Sequence, residues 1–192
     1  ARATPEAFRF TVKAQRGGIR ALLSDPEPTL AWLLGSLRAF GPRLGSVLYR
    51  VPVEIERADA GLDRLLAAWP ADLPLTFEFQ HTSWEADAVH ERLARAGAAL
   101  CATDLDEMPE PTLRLTGRVL YLRLRRAGYA PDELASWAAR IAPFLAAGND
   151  VFAFFRHDAD GTSALRAIDL AERVAALRAA ATAGSVSGAA AG

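Results

Sequence analysis

The stretch Leu75-Thr76-Phe77-Glu78-Phe79-Gln80, running on into His81-Thr82-Ser83-Trp84, decides the reading of the fold. Leu75, Phe77 and Phe79 alternate with Thr76, Glu78 and Gln80, so a strand here has one apolar and one polar face. A helix signal follows at once. Thr82 and Ser83 can cap a helix running to Gly97, with Glu85 and Asp87 in the first turn, where the helix dipole favours acids. Outward from this unit the same sequence character recurs in residues 8–13, 46–51, 98–104, 119–125 and 151–157. Each run ends in charged or hydrogen-bonding residues and is followed by a helix-like stretch. Strands alternating with helices predict an α/β fold with a parallel sheet, and here a partial TIM-like β/α barrel of six parallel strands.

Between the strands the helical patterns have starts and stops. Residues 29–40 carry Leu30, Leu33, Leu34 and Leu37 at helical spacing and end at Gly41-Pro42; residues 60–69 end at Pro70. Pro131, Asp132 and Glu133 open a helix that Gly148 closes, and the last helix, 162–180, is amphipathic through Leu165, Ile168, Leu170, Val174 and Leu177. Residues 1–178 read as one domain, and the Ala/Gly/Ser-rich residues 179–192 as a disordered tail.

A chain of 192 residues, 51% hydrophobic, is long enough to bury a core. Its 22 basic and 23 acidic residues predict no general affinity for nucleic acid or an anionic membrane. The one cysteine, Cys101, excludes an intramolecular disulfide framework and reads as a buried, inert thiol in an apolar run. No apolar run has the length of a membrane span, and Ala1-Arg2-Ala3-Thr4-Pro5 is not a signal peptide, so the expected location is cytoplasmic.

Strand alternation also selects the candidate site. Arg9, Thr11 and Lys13 oppose Phe8, Phe10 and Val12, and Tyr121, Arg123 and Arg125 oppose Leu120, Leu122 and Leu124. The helix-covered face of a β/α barrel is apolar, so the polar sets should point inward and their last members should line the carboxyl-end mouth. Lys13, Arg50, Arg123, Arg125, Arg156 and His157 are therefore the candidate ligand-binding residues, and Glu78 and Asp104 the candidate catalytic carboxylates. Three readings stay open: a pocket where guanidinium groups hold phosphate or carboxylate, an internal ion-pair lattice, and a glycosidase using Glu78 and Asp104 as acid and base. His81, His157, Glu78 and Asp104 do not have the spacing of a ligand motif, so no metal is expected. No Gly-rich phosphate loop or nucleophile elbow is present, and no cofactor is expected.

Residues 8–13, residues 44–52 and above all Glu78-Phe79-Gln80-His81-Thr82-Ser83-Trp84 resemble the domain of unknown function 72 (DUF72, YecE-like) family. Leu100 to Asp104, Tyr121 to Leu124, Tyr129 with Leu134 and Trp137, and Asp150 to Phe155 continue the family order. The resemblance implies a TIM-like barrel of unestablished role, of which this chain looks like the last six β/α units, with two further strands expected upstream. It also implies that Lys13, Glu78, Asp104 and Arg123 keep the family's residue type, whereas Arg50, Gln80, Arg125-Arg126 and Arg156-His157 depart from it. Likeness of the family's barrel to endonuclease-type barrels suggests a nucleic-acid or phosphate ligand. The resulting expectation is an uncharacterised family protein that binds an anionic small molecule or phosphate group at the strand mouth. The alternatives are a hydrolase acting on a phosphorylated, nucleic-acid or sugar substrate, and a degenerate, non-catalytic barrel.

Overall fold

The computed structural model describes residues 3–14 and 19–189, with the side chains of Leu22 and of 183–189 left aside. Six strands lie in one sheet in chain order: β1 (Phe10–Lys13), β2 (Leu44–Val51), β3 (Leu75–Phe79), β4 (Ala99–Asp104), β5 (Val119–Leu124) and β6 (Asp150–Phe155). The helices are α1 (Ile19–Ser24), α2 (Pro26–Arg38), α3 (Asp59–Ala68), α4 (Asp87–Ala96), α5 (Pro131–Ala146) and α6 (Thr162–Ala189). Parallel strands in chain order, with helices between them, are the arrangement of a partial β/α barrel. No helix among the described residues is long and apolar enough to cross a membrane.

The chain divides into two compact units, residues 1–101 with 114–119 and residues 102–113 with 120–192. In the first, β2 is buried on both faces, as a strand flanked by parallel neighbours should be. Val47, Tyr49 and Val51 of β2 and Phe77 of β3 pack with Leu62 and Leu65 of α3 and Val89 and Leu93 of α4. Each of these leucines is fully buried, a stabilisation of about 1.5–3 kcal/mol apiece relative to exposure. The opposite sheet face is polar: Ser46 Oγ and Thr76 Oγ1 share a 2.6 Å hydrogen bond, and both side chains are fully buried. The faces are therefore those that alternation predicts. α4 stops where Gly97 adopts φ +66°, a left-handed turn that ends the helix without a Cβ penalty.

In the second unit, Leu120, Leu122 and Leu124 of β5 and Val151, Ala153 and Phe155 of β6 pack with Leu134, Trp137, Ala138 and Ile141 of α5. α5 opens on Pro131, with Glu133 Oε2 accepting the Ala130 N–H at 2.7 Å. α6 extends past the 162–180 of the sequence reading to Ala189, so the expected tail is helical to that point and residues 190–192 lie outside the described set.

One expected helix is missing. Residues 105–118 join β4 to β5 as a helix-free connection, because Pro109 and Pro111 lack backbone N–H donors and disfavour helical backbone in the residues before them. Within the second unit, the Arg140 guanidinium lies 4.2 Å from the centre of the Trp137 ring, donates to Glu110 at 2.8 Å and reaches the Pro111 carbonyl. Within the first, Thr116 Oγ1 accepts from the Leu100 N–H and donates to the Ala98 carbonyl, both at 2.8 Å. Gly117 follows, where any Cβ would lie 2.6 Å from the Ala99 nitrogen.

Candidate functional site

Glu78 in the first unit is 3% exposed. Register puts it opposite Arg50 across the β2/β3 ladder, and Arg50 Nε lies 3.1 Å from Glu78 Oε2. The approach is an ion pair rather than an aligned hydrogen bond, since among the described residues the buried Nε has no hydrogen-bond partner. The residues after Glu78 build the corner that holds this strand end. Phe79 stacks on Trp84 with centroids 4.4 Å apart and planes 13° from parallel, and Trp84 Nε1 donates to the Ile55 carbonyl at 2.8 Å. His81 Nδ1 accepts the Ser83 N–H at 3.2 Å, capping the 3-10 turn Thr82–Trp84, while Ser83 Oγ accepts the Arg57 N–H at 2.8 Å. The segment expected to open a long capped helix is thus a turn followed by α4. His81 serves as its cap, and Lys13 ends β1 as an exposed side chain.

Asp104 in the second unit is fully buried at the end of β4. Its Oδ1 accepts from Arg126 Nε at 3.0 Å and lies 2.9 Å from Arg126 Nη2, and its Oδ2 accepts from the Tyr129 hydroxyl at 2.8 Å. Arg126 Nη1 reaches Glu133 Oε1 at 3.2 Å, so the guanidinium spans two acids. Burial and the bond to Asp104 raise the Tyr129 pKa above the usual tyrosine range. Burial alone would lower the Arg126 pKa, but the Asp104 charge and hydrogen bond outweigh it and raise the value.

Alternation sets Arg126 apart from Arg123, in a loop. That loop folds back, and Arg126 brings both Nε and Nη2 to one Asp104 oxygen, Oδ1. Arg126, Tyr129 and Glu133 lie outside the set of site residues that strand alternation selects. The available signal was an arginine and a tyrosine between a strand ending and the Pro131 helix start, close enough in sequence to return to a neighbouring strand end.

The remaining candidates sit at or just past strand ends. Arg123 lies in β5; Arg125 follows it, with its N–H bonded to the Asp104 carbonyl at 2.9 Å. Arg156 and His157 follow β6 and are exposed, and the Arg156 N–H bonds the Leu124 carbonyl at 2.8 Å. Among the described residues no group of three or more His, Cys, Asp or Glu side chains is placed to hold a metal ion.

Residues 1–188 match the model of a family described as protein of unknown function DUF72. The structure is similar to that of a DUF72 family protein from Enterococcus faecalis V583, with 19% identity and a TM-score of 0.67, covering 89% of this chain and 80% of that one. It is equally similar to a DUF72 family protein from Thermotoga maritima MSB8, again at 19% identity and a TM-score of 0.67, over 89% of this chain and 75% of the other. At this identity the likeness establishes the fold. No curated protein is a significant match.

Proposed function

The chain belongs to the DUF72 family, and from that premise we propose that it binds an anionic ligand, a phosphate or carboxylate group, at the carboxyl ends of β5 and β6. The observation that carries this reading is the state of Asp104. Both of its oxygens are already bonded, one by Arg126 and the other by Tyr129, while Arg156 and His157 stand exposed on the adjoining strand end. Backbone bonds from Arg125 to Asp104 and from Arg156 to Leu124 carry the ladder one residue past β5 and β6. A guanidinium in such a position binds phosphate through paired, charge-assisted hydrogen bonds. The same occupancy of Asp104 weighs against the hydrolase reading, which needs an Asp104 oxygen directed at a substrate. In the first unit, the Arg50 and Glu78 pair favours internal charge matching there.

Thermal denaturation with inorganic phosphate tests the reading. A ligand at about a hundredfold excess over Kd stabilises the folded state by about 2.7 kcal/mol, which raises Tm. Arg156→Gln should remove the shift and Arg95→Gln, on the exposed side of α4, should keep it; added chloride should weaken it. A shift retained in Arg156→Gln, or none in the unaltered protein, would overturn the reading.

A further inference from the structure

We propose that the ligand of this site is a nucleotide, whose base stacks on Phe154 while its phosphate meets Arg156; this rests on the anion reading above. The sheet face of β5 and β6 turned away from α5 is aromatic. Since Leu120, Leu122, Leu124, Val151, Ala153 and Phe155 belong to the helix-side cluster, Tyr121, Phe152 and Phe154 lie on the other face. Tyr121 and Phe154 stack with centroids 5.1 Å apart and planes at 29°, and Phe152 tilts against the same tyrosine at 6.3 Å. Tyr121 is 3% exposed, but Phe154 is 38% exposed, so a ring fixed from behind by stacking presents apolar surface to solvent.

Arg156 comes two residues after Phe154. Its backbone bond to Leu124 continues the β ladder, so Arg156 falls on the Phe154 face, about 6.6 Å further along the strand. An exposed ring followed by an exposed guanidinium on one strand face matches a planar base joined to a phosphate. Stacking accepts any flat ring, and the guanidinium supplies the charge-assisted contact. A sugar phosphate without a base would engage the arginine alone.

Calorimetric titration of the full chain at low salt, with adenosine 5′-monophosphate and separately with ribose 5-phosphate, tests the inference. The nucleotide should bind about tenfold or more tightly than the sugar phosphate, the effect of one stacked base. Phe154→Leu should remove that advantage and leave ribose 5-phosphate binding unchanged, whereas Arg156→Gln should weaken both ligands. Equal affinity of the two ligands for the unaltered protein would overturn the nucleotide inference and leave the anion reading standing. Absence of binding by either would overturn both. The comparison on the unaltered protein decides the question even where Phe154→Leu proves unstable.

Discussion

Glu78 and Asp104 are buried acids at the carboxyl ends of strands, one in each unit, and they acquire their partners by different routes. Glu78 meets Arg50 sideways across a regular ladder, in a pairing set by strand register. Asp104 is held by residues from beyond the end of the next strand, where Arg126 and Tyr129 curl back from an irregular connection. The ladder brings charges together but does not align them, and Arg50 Nε points off the hydrogen-bond line. The loop is not bound to strand geometry, so both carboxylate oxygens receive directed donors. Ladders thus supply proximity, and the loop supplies orientation.

The largest effect expected from this contrast is at Asp104. Asp104→Ala leaves the Tyr129 O–H without its acceptor and removes one of the two acids on Arg126, and should cost about 3–5 kcal/mol in urea denaturation, against about 1–3 kcal/mol for Glu78→Gln. A Glu78 variant that is equally destabilised would break the comparison.

Tyr129→Phe comes next. It deletes the hydrogen bond to the Asp104 carboxylate and the longer one accepted from the Arg126 N–H, and should cost about 1.5–3 kcal/mol. A double-mutant cycle with Asp104→Ala should give a coupling of about 0.5–3 kcal/mol, and strictly additive losses would mean that the two do not act together.

Arg126→Lys keeps the charge but loses the planar fork that spans Asp104 and Glu133, and should destabilise by about 1 kcal/mol. No change in denaturation midpoint would show that charge alone, without direction, suffices at this strand end.

The smallest effect concerns Asp158, at the start of α6. Hydrogen bonds from Ser163 and from the Gly161 N–H lower its pKa from the ordinary 3.8. A depressed carboxylate pKa adds stability that is present above 3.8 and disappears as pH falls through the lower folded value. The Asp158 carboxyl should titrate below 3.8 by NMR, and Asp158→Ala should flatten the acid limb of the stability profile slightly. An unshifted midpoint would remove this cap from the account.

The β/α alternation, the polar and apolar faces of β3 and β5, and the strand-end positions of the acids Glu78 and Asp104 were legible in the sequence. All follow from a period of two, which each strand repeats locally. The Glu78 to Trp84 segment stood out as a motif, but its main observed work is to build a corner through Phe79, His81, Ser83 and Trp84. The helix-free 105–118 connection was missed although Pro109 and Pro111 announce it. Local backbone chemistry there overrides the strand-then-helix rhythm of the rest of the chain.

By itself, then, the sequence determined the order of the six strands, the side of the sheet that the residues of β3 and β5 occupy, the opening of α5 at Pro131 and the stop of α4 at Gly97. These depend on neighbours a few residues apart, where φ/ψ preferences and side-chain periodicity act directly. Only the tertiary structure decided that Arg126 and Tyr129 close on Asp104, and that Phe154 stands exposed two residues before Arg156. The first depends on the path of a loop with no period to read. The second depends on what packs over a face, which alternation leaves undetermined.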